Sequence, residues 1–287
     1  MKNTPSLSII LPAKNESKNL PNFLPMLFLL YPDAEILLVN DGSTDDTAAI
    51  ARAAGATVID HPYSMGNGAA VKTGARHAKN DILVFMDADG QHHPGDIPAL
   101  LTKLNSGYDM VVGARKATSH ASLFRRLANN FYNKLASLMT GHKIEDLTSG
   151  FRAARASKFR KFLYLLPNGF SYPTTSTMAF FRSGFPVGYV TIHAGKRSGK
   201  SHIRLLHDGL RFFIIILRIG VLFSPMRLFL PISSIVFSLG AGYYGYTYFT
   251  EGRFTNMSAV LFLSSLFIFL IGIVSEQISS LHYKNIE

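Results

Sequence analysis

The chain has 287 residues, no cysteine, a hydrophobic content of 47% and a formal net charge of +11. The lack of cysteine excludes disulfides and thiolate chemistry, and the apolar run around Leu7–Leu11 is too short for a signal-peptide core, so we expect none. Positive charge is concentrated in residues 115–227, which carry 19 Lys and Arg against 3 Asp and Glu. Such a block indicates anionic lipid headgroups or phosphorylated ligands. No nucleic-acid-binding motif accompanies it, so we expect no nucleic acid partner.

Short apolar runs alternate with helical patterns in the first part of the chain. This alternation predicts an α/β fold with a doubly wound, mostly parallel sheet. The run Ile82–Met86 has five apolar residues without a polar break, as expected for a strand buried on both faces. The other predicted strands are Leu7–Leu11, Glu35–Asn40, Thr57–Asp60 and Asp109–Val112. Helices are predicted at Ser17–Leu30, at Ser43–Ala54 including its cap, at Ala69–Ala78 and at Pro94–Ser106.

Three of these strands end in acids or in a polar cluster. The residues concerned are Asn15 and Glu16, Asp41, and the pair Asp87 and Asp89. Ligands of open α/β sheets bind beyond the carboxyl ends of the strands, and paired carboxylates suit a hard divalent cation that carries phosphates. Asp41 is not needed as a helix cap, so we expect its carboxylate to be free for a ligand. The alternative is that Asp89 or His92 merely caps the helix that starts near Pro94.

A glycine-rich segment after the third strand is a second candidate for phosphate binding. Gly66 and Gly68 precede a helix and could expose backbone N–H groups to a phosphate, with Lys72 one turn into that helix. The Walker A order of Gly, Lys and Ser or Thr is absent, which excludes a nucleoside-triphosphatase site here. The alternative is a glycine-rich turn followed by an ordinary surface lysine.

The basic middle of the chain combines a helix, a polar turn and a compact loop. A helix is predicted over Ser122–Thr140, where two adjacent arginines could equally lie on a solvated face. The turn Glu145–Arg152 contains an acid pair, and a strand is predicted at Pro186–His193. The loop Lys196–His202 carries several cations and follows that strand.

The last part of the chain indicates membrane attachment. Three arginines recur at seven-residue spacing in an otherwise apolar stretch, which predicts amphipathic juxtamembrane helices over residues 203–227. Residues 228–250 and 254–275 carry no charge, and each run can span about 30 Å of hydrocarbon. We therefore predict a transmembrane hairpin and a short tail in residues 228–287, surrounded by membrane lipids. Basic residues before and after the hairpin predict that the N-terminal domain and both termini are cytoplasmic, in the cytoplasmic membrane if the source is bacterial.

Five short motifs occur in the order found in one known family. They are Leu11-Pro-Ala-Lys-Asn-Glu16, Val39-Asn-Asp-Gly-Ser-Thr-Asp45, Met86-Asp-Ala-Asp-Gly-Gln91, Leu147-Thr-Ser-Gly-Phe-Arg-Ala153 and Arg197-Ser-Gly-Lys-Ser201. On these motifs the chain resembles family 2 glycosyltransferases of the GT-A fold. More narrowly, it resembles the dolichyl- or polyprenyl-phosphate sugar transferases, the dolichol-phosphate mannosyltransferase group. The resemblance implies a Rossmann-like catalytic domain over residues 1–202.

The resemblance also implies a reaction, in which a metal-dependent, inverting enzyme transfers a sugar from a UDP- or GDP-sugar to polyprenyl phosphate. Together with Lys72 from the glycine-rich segment and Ala88 between the two aspartates, the predicted positions for the nucleotide sugar are Pro12, Ala13, Glu16, Asp41, Lys72, Asp87, Ala88, Asp89, Gln91, Lys196, Arg197 and His202. The candidate catalytic residues are Asp87, Asp89 and Gln91, of which Asp89 and Gln91 would ligate Mg²⁺ or Mn²⁺. Arg115 and Arg126 match basic positions near the lipid phosphate.

The sequence departs from the family at two positions. Asn40 stands where many relatives have a second aspartate, and His202 stands where the loop often ends in lysine, which puts its phosphate role in doubt.

The nature of the acceptor decides whether a base is needed. A lipid monophosphate has its second pKa near 6 and is largely ionised at neutral pH, so it needs only cations to position it. A sugar hydroxyl would need a carboxylate base, and Glu145 or Asp146 would supply it. The charge of the middle block favours the phosphate, while a hydroxyl acceptor and a catalytically dead, membrane-anchored binding protein are the alternatives. Gly240, Gly242 and Gly245 could let transmembrane helices pack closely within the hairpin or in a homo-oligomer.

Overall fold

A seven-stranded sheet forms the centre of the catalytic domain. The structure is a computed structural model that describes residues 6–115, 123–169, 171–192 and 205–283, without the side chains of 123–128, 205–212, 282 and 283. The strands are β1 (Leu7–Ala13), β2 (Glu35–Asn40), β3 (Thr57–Asp60), β4 (Ile82–Phe85), β5 (Met110–Arg115), β6 (Arg152–Arg155) and β7 (Val187–Ile192). Their order is β3-β2-β1-β4-β6-β5-β7, and only β6 runs antiparallel to its neighbours. The predicted mostly parallel α/β sheet is confirmed.

Helices cover both faces of this sheet and continue beyond it. They are α1 (Leu20–Leu30), α2 (Thr47–Ala53), α3 (Asn67–His77), α4 (Ile97–Asn105), α5 (Leu123–Thr140), α6 (Ala156–Arg160), α7 (Tyr172–Arg182), α8 (Leu205–Phe223), α9 (Met226–Glu251) and α10 (Asn256–Tyr283). Helix α1 begins three residues later than predicted, with Pro21 in its first turn, where the missing N–H has no intrahelical partner to lose. A separate 3₁₀ turn, Pro94–Asp96, precedes α4.

Alternating side chains of the central strands build two hydrophobic cores. Ile10 of β1 and Phe85 of β4 lie in the core that includes α3 and the helices α5 to α8. Ile9 and Val84, their neighbours in the chain, lie in the opposite core, beneath α1, α2 and α4. Successive side chains of a strand point to opposite faces, so the apolar runs without a polar break arise because both faces are covered.

The elements that were not predicted include the antiparallel strand β6 and helix α7. Strand β6 has the sequence Arg-Ala-Ala-Arg, which lacks β-branched and aromatic residues and reads as a polar turn. Helix α7 has Pro173 in its first turn and contains Thr174–Thr177, four residues of low helix propensity that are all buried. Tertiary packing stabilises both elements, so their local sequence does not reveal them.

Helix α8 packs on the catalytic domain along one side. Ile216, Ile219 and Phe223 are buried in the same core as α3, whereas Arg218 is exposed. Arg182 at the end of α7 donates from Nη2 to the Phe223 carbonyl at 2.8 Å, which caps the end of α8. The arginines at positions 204 and 211 lie outside the described residues or side chains, so the predicted cationic stripe stays a prediction.

Helices α9 and α10 form a long apolar hairpin. Both are long and apolar enough to cross a membrane, and only 11% and 17% of their most apolar windows are buried within the chain. Helix α10 runs to Tyr283, two turns past the predicted end, because Glu276 is tolerated inside the helix. Its carboxylate accepts a hydrogen bond from the Met226 N–H at 3.3 Å and so caps the start of α9.

Polar and small residues hold the hairpin together. The Ser233 hydroxyl donates to the Ser265 carbonyl, and the Ser265 hydroxyl donates to the Ser233 carbonyl, each at 3.0 Å. A Cβ at Gly240 would lie 3.1 Å from Leu261 Cβ, so this glycine lets the two helices approach. A Cβ at Gly242 or Gly245 would face open space, so these two glycines are not required for packing inside the hairpin.

Candidate active site

The carboxyl ends of β1, β2 and β4 meet at one edge of the sheet, as the strand register requires. Ala13 of β1 lies opposite Asn40 of β2, and the Asp41 N–H donates to the Ala13 carbonyl at 2.9 Å. The predicted donor positions Pro12 and Glu16 are half-buried at the same edge, next to the buried Ala13. The residues predicted to bind the nucleotide from these strands are therefore brought together.

Asp41 is not free, which corrects the expectation drawn from the sequence. Its Oδ1 accepts from His61 Nδ1 at 2.8 Å and from the Met65 N–H at 2.7 Å. Its Oδ2 accepts from Ser64 Oγ and from the Gly66 N–H, both at 2.9 Å. Burial alone would raise the pKa of Asp41, but these hydrogen bonds outweigh it and hold the pKa below its ordinary value. Since a carboxylate has about four acceptor positions, Asp41 orders the loop 61–66.

The glycine-rich segment does not offer its N–H groups to a phosphate, which is a second correction. The Gly68 N–H donates to the Gly169 carbonyl at 3.1 Å, and the Ala69 N–H donates to the Asn168 carbonyl at 2.8 Å. A Cβ at Gly66 would lie 2.5 Å from the Asn168 carbonyl oxygen, so glycine is required by this close approach. The start of α3 is thus capped by the turn 167–169.

Lys72 binds the same turn. Its Nζ donates to the Leu166 carbonyl at 3.1 Å and to the Asn168 side chain. Burial, with a smaller contribution from Arg76, lowers the pKa of Lys72. Two of its three donors thus have protein partners, and its contact with a nucleotide sugar stays a prediction.

Asp87, Ala88, Asp89 and Gln91 follow β4 at the same edge. The two carboxylates and the amide are half-buried, whereas Ala88 is buried. The Gln91 N–H donates to Asp89 Oδ1 at 3.1 Å, a local turn that fixes the carboxylate. The alternative that Asp89 or His92 caps the next helix is wrong, because His93 Nδ1 accepts the capping hydrogen bond from the Gly95 N–H at 3.0 Å.

Asn40, the first departure from the family, has a partner that explains it. Its Nδ2 donates to Asp60 Oδ1 at 2.8 Å, and Asp60 is also paired with Arg52. An aspartate at position 40 would place a second negative charge against Asp60, which like-charge repulsion disfavours. The amide therefore suits this site.

Arg115 and Asp146 form a pair on the other side of Asp87. Arg115 Nε donates to Asp146 Oδ2 at 2.8 Å and Nη2 donates to Oδ1 at 3.0 Å, the bidentate geometry that favours strong pairing. The N–H groups of Thr148 and Ser149 also donate to Asp146 Oδ1, each at 3.1 Å. Burial opposes ionisation of Asp146, but Arg115 and these N–H groups hold the pKa of its carboxyl below the ordinary value.

The antiparallel strand β6 brings this pair to the edge. Because β6 runs against β4, its amino end lies beside the carboxyl end of β4, with Arg152 opposite Phe85. The turn before β6 then contacts Asp87: a Cβ at Gly150 would lie 3.1 Å from Asp87 Oδ2. The negative charge of Asp87 also favours the charged form of Arg115. The Arg115 cation is therefore close enough to Asp87 to interact with its charge.

Arg152 is a functional candidate that the sequence did not single out. Its side chain is fully buried, and its Nη1 donates to the Pro173 carbonyl at 3.1 Å and to Ser176 Oγ at 2.7 Å, while Nη2 donates to the Ser149 carbonyl. Its guanidinium lies 5.5 Å from the ring centre of Tyr172. Arg152 therefore ties α7 to the turn that contacts Asp87. The Ser-Gly-Phe-Arg motif contained it, but its partners on α7 are more than 20 residues away in the sequence.

Some predicted site residues cannot be placed. Lys196, Arg197 and His202 lie outside the described residues, as does the side chain of Arg126. Their roles stay predictions.

Comparison with known proteins identifies the class. The chain belongs to glycosyl transferase family 2, because the family model matches residues 8–163, more than half of the chain. A second family, the GtrB C-terminal hairpin, matches residues 224–281, which cover most of α9 and α10. The resemblance drawn from the five motifs is therefore confirmed, and the hairpin is a membrane anchor.

Individual relatives narrow the comparison. The undecaprenyl-phosphate 4-deoxy-4-formamido-L-arabinose transferase of Enterobacter sp. (strain 638) is 34% identical over 161 residues, which are 52% of this chain and 48% of that protein. The protein of the same name from Shewanella sediminis (strain HAW-EB3) is 30% identical over 192 residues, 60% of this chain and 58% of that protein. The chain therefore spans about half the length of the curated relatives it matches.

Solved structures confirm the GT-A fold. Glucosyl-3-phosphoglycerate synthase from Mycobacterium tuberculosis, crystallised with Mn²⁺, uridine diphosphate and glucosyl-3-phosphoglycerate, superimposes with a TM-score of 0.62. The two chains are 21% identical, and the match covers 76% of this chain and 80% of the other.

Proposed function

We propose that this chain is a membrane-bound, metal-dependent inverting glycosyltransferase that moves a sugar from a nucleotide sugar to polyprenyl phosphate. The observation that carries the proposal is the arrangement at one edge of the sheet. Asp87 and Asp89 provide half-buried carboxylates, and Arg115, at the end of β5, interacts with the charge of Asp87. Acids that suit a metal and a diphosphate thus adjoin a fixed cation that suits a second phosphate. The membrane anchor and the relatives named above support a lipid-linked acceptor.

The carboxylates of Asp87 and Asp89 suit a divalent cation that a substrate also coordinates. Within the described residues no group of three or more His, Cys, Asp and Glu side chains could hold a metal. Mg²⁺ commonly binds through one or two carboxylates and completes its octahedron with substrate phosphates and water. Asp89 and Gln91 would hold Mg²⁺ or Mn²⁺ in this way. When bound, the cation neutralises charge on the nucleoside diphosphate that leaves.

The donor would lie across the ends of β1 and β4. Pro12, Ala13 and Glu16 would hold the nucleoside, and Asp87 would contact the sugar, as the motifs imply. Asp41 would act indirectly, since its hydrogen bonds order the loop 61–66 beside this edge.

The state of Asp146 favours a phosphate acceptor. A general base must accept a proton, but Asp146 already accepts hydrogen bonds from Arg115, Thr148 and Ser149, and its pKa is below the ordinary value. Glu145 is exposed and pairs with Lys143 at 3.7 Å. A lipid monophosphate is largely ionised at neutral pH and needs no base. Arg115 would orient it beside the donor.

The catalytic domain and both ends of the chain would face the cytoplasm. The block of 19 cations in residues 115–227 precedes the hairpin, and the turn between its helices is neutral, since Arg253 and Glu251 pair at 2.7 Å. The chain has no native cysteine, so single-cysteine variants report on topology directly. Phe254→Cys should react with an impermeant maleimide in intact cells, and Lys103→Cys only after lysis; the opposite pattern would reverse the orientation.

Transfer itself is tested with radiolabelled UDP- and GDP-sugars, undecaprenyl phosphate and detergent-solubilised protein, with Mg²⁺ or EDTA. We expect metal-dependent label in the lipid phase from one donor. Asp89→Asn should lower the rate by on the order of 10²–10³-fold, and the control Asp33→Asn, an exposed acid between α1 and β2, should leave it unchanged. Donor binding without a lipid product would indicate a hydroxyl acceptor. No metal-dependent donor binding at all would indicate a non-catalytic binding protein.

A further inference from the structure

A cleft of about 810 Å³ lies where the end of α5 meets the start of α9. Its walls include Leu138, Lys143, Met226, Arg227, Leu230 and Pro231. Apolar side chains therefore share the cleft with two cations. None of these residues belongs to the site at the edge of the sheet.

The cleft lies at the boundary of the membrane. Met226 is the first residue of the first spanning helix, so the cleft is at the level where the hydrocarbon begins. Two of its apolar residues are turned outward, Leu138 with 64% and Leu230 with 46% of their surfaces exposed. Exposed leucines beside a spanning helix are suited to contact with acyl chains rather than with water.

Arg227 is held in place within the cleft. Its Nη1 donates to the Leu138 carbonyl at 3.1 Å, near the carboxyl end of α5. Gly141 lies under the guanidinium with φ of 79°, and a Cβ there would lie 2.7 Å from Nη2. The glycine thus leaves room for the cation. A guanidinium has five N–H donors, and capping of α5 engages one nitrogen, so donors remain for an anionic ligand.

The local charge is positive. The side chain of Lys143 is 86% exposed, and its carboxylate partner Glu145 is 3.7 Å away, so the pair is weak. Arg227 and Lys143 carry two positive charges against the one negative charge of Glu145. His142, beside them, stacks on Phe181 with 4.9 Å between ring centres. Cations at the top of an apolar wall match a molecule with an anionic head and an apolar tail.

We propose that this cleft binds an anionic membrane phospholipid, with its phosphodiester headgroup on Arg227 and Lys143 and an acyl chain along Leu138 and Leu230. The polyprenyl acceptor is the less suitable occupant, because its phosphate must reach Asp87 and Arg115. The cleft is lined by the end of α5, residues 141–143 and the start of α9, and neither Asp87 nor Arg115 is among its lining residues. The proposal rests on the membrane anchor and not on transfer activity.

The test measures lipid retention by the full-length protein. Protein is exchanged into mixed micelles of phosphatidylglycerol or phosphatidylcholine, and bound lipid is counted by native mass spectrometry. We expect preferential retention of phosphatidylglycerol, reduced about fivefold by Arg227→Gln and by Lys143→Gln, the effect of about one cation near an anionic headgroup. The matched control is Arg253→Gln, which removes a cation at the opposite end of the hairpin and should change nothing. Lys143 makes one surface ion pair, so Lys143→Gln should fold. It can therefore test the proposal even if Arg227→Gln does not fold.

Three results would overturn the proposal. The first is equal retention of the two lipids by the unmodified protein. The second is unchanged phosphatidylglycerol in Lys143→Gln. The third is displacement of phosphatidylglycerol by an equimolar amount of undecaprenyl phosphate, which would assign the cleft to the acceptor. Transfer activity enters none of these outcomes, so failure here is distinct from failure of the proposed function.

Discussion

The two halves of the sheet use their acidic residues differently. Residues 1–91, which contain β1 to β4 and the acids that follow β4, carry 10 Asp and Glu against 7 Lys and Arg. There Asp41 accepts hydrogen bonds mainly from neutral groups and orders a loop, while Asp87 and Asp89 stay at the edge. In the half formed by β5 to β7, the buried Asp146 binds Arg115 and fixes a cation. An acid at a strand end thus positions either a backbone loop or a counter-charge, depending on its neighbours.

This difference matters for the proposed reaction, which joins two anionic substrates. Two phosphates repel, so one side of the site needs carboxylates that share a metal with the donor, and the other needs cations for the acceptor. The sheet separates these by one strand position, since β6 lies between β4 and β5.

The largest effect on stability is expected at Arg152, whose hydrogen bonds hold α7 to the turn before β6 in the β5 to β7 half of the sheet. Arg152→Met should lower the free energy of unfolding by about 3 kcal/mol, because buried carbonyls and a hydroxyl lose their donor. The measurement is denaturation in detergent followed by circular dichroism. Arg155→Met is the control: its side chain is 42% exposed and pairs with Asp109 at 3.4 Å, so a change below about 1 kcal/mol is expected. Equal losses of unfolding free energy in the two variants would show that the buried hydrogen bonds of Arg152 stabilise the fold no more than the exposed ion pair of Arg155 does.

Asp146 distinguishes a positioning role from a base. Asp146→Asn should lower transfer about thirtyfold, chiefly through KM for the acceptor, because Arg115 loses its charged partner. Arg115→Gln should have a similar effect, and the double variant should be little worse than either single one, since both act through one interaction.

A general-base role for Asp146 predicts a different result. If Asp146 were the general base, its replacement would lower kcat and abolish the acidic limb of the pH–rate profile, and its effect would multiply with that of Arg115→Gln. Steady-state kinetics over a range of acceptor concentrations and pH values separate the two cases.

In the β1 to β4 half, the pH dependence of the free energy of unfolding tests the role of Asp41. Its pKa is depressed in the folded chain, so its stabilising contribution is present above the ordinary carboxyl pKa of about 3.9 and is lost as pH falls through the lower folded value. Asp41→Asn should cost about 1–2 kcal/mol at pH 7, with the difference from the unmodified protein shrinking at strongly acidic pH. Unfolding between pH 7 and 3 checks this, with Asp33→Asn as the control; a constant difference across that range would contradict it.

The smallest expected effect lies in the membrane anchor. Ser233→Ala removes one of two reciprocal hydrogen bonds between α9 and α10 and should destabilise the hairpin by about 0.6 kcal/mol. Ser238→Ala is matched to it, because the Ser238 hydroxyl donates only within its own helix, to the Ser234 carbonyl at 2.8 Å. Thermal unfolding in one detergent compares them. A larger loss in Ser238→Ala would show that the inter-helix pair is not what stabilises the hairpin.

Much of the fold follows from short-range patterns. The strands Glu35–Asn40 and Thr57–Asp60 have the predicted bounds, because apolar runs and their period report burial directly. The hairpin was equally clear, since a bilayer requires about twenty apolar residues in each span. The five motifs were sufficient for the family.

The sequence by itself determined the alternation of strands and helices, the acids at the strand ends and the membrane anchor, because these depend on neighbours in the chain. Tertiary structure alone decided which acids are available. Asp41 and Asp146 have partners 20 to 31 residues away along the chain, and the antiparallel direction of β6, which brings Gly150 to Asp87, is set by packing. The hydrogen bonds that occupy a carboxylate come from wherever the fold brings donors, so composition and spacing cannot reveal them.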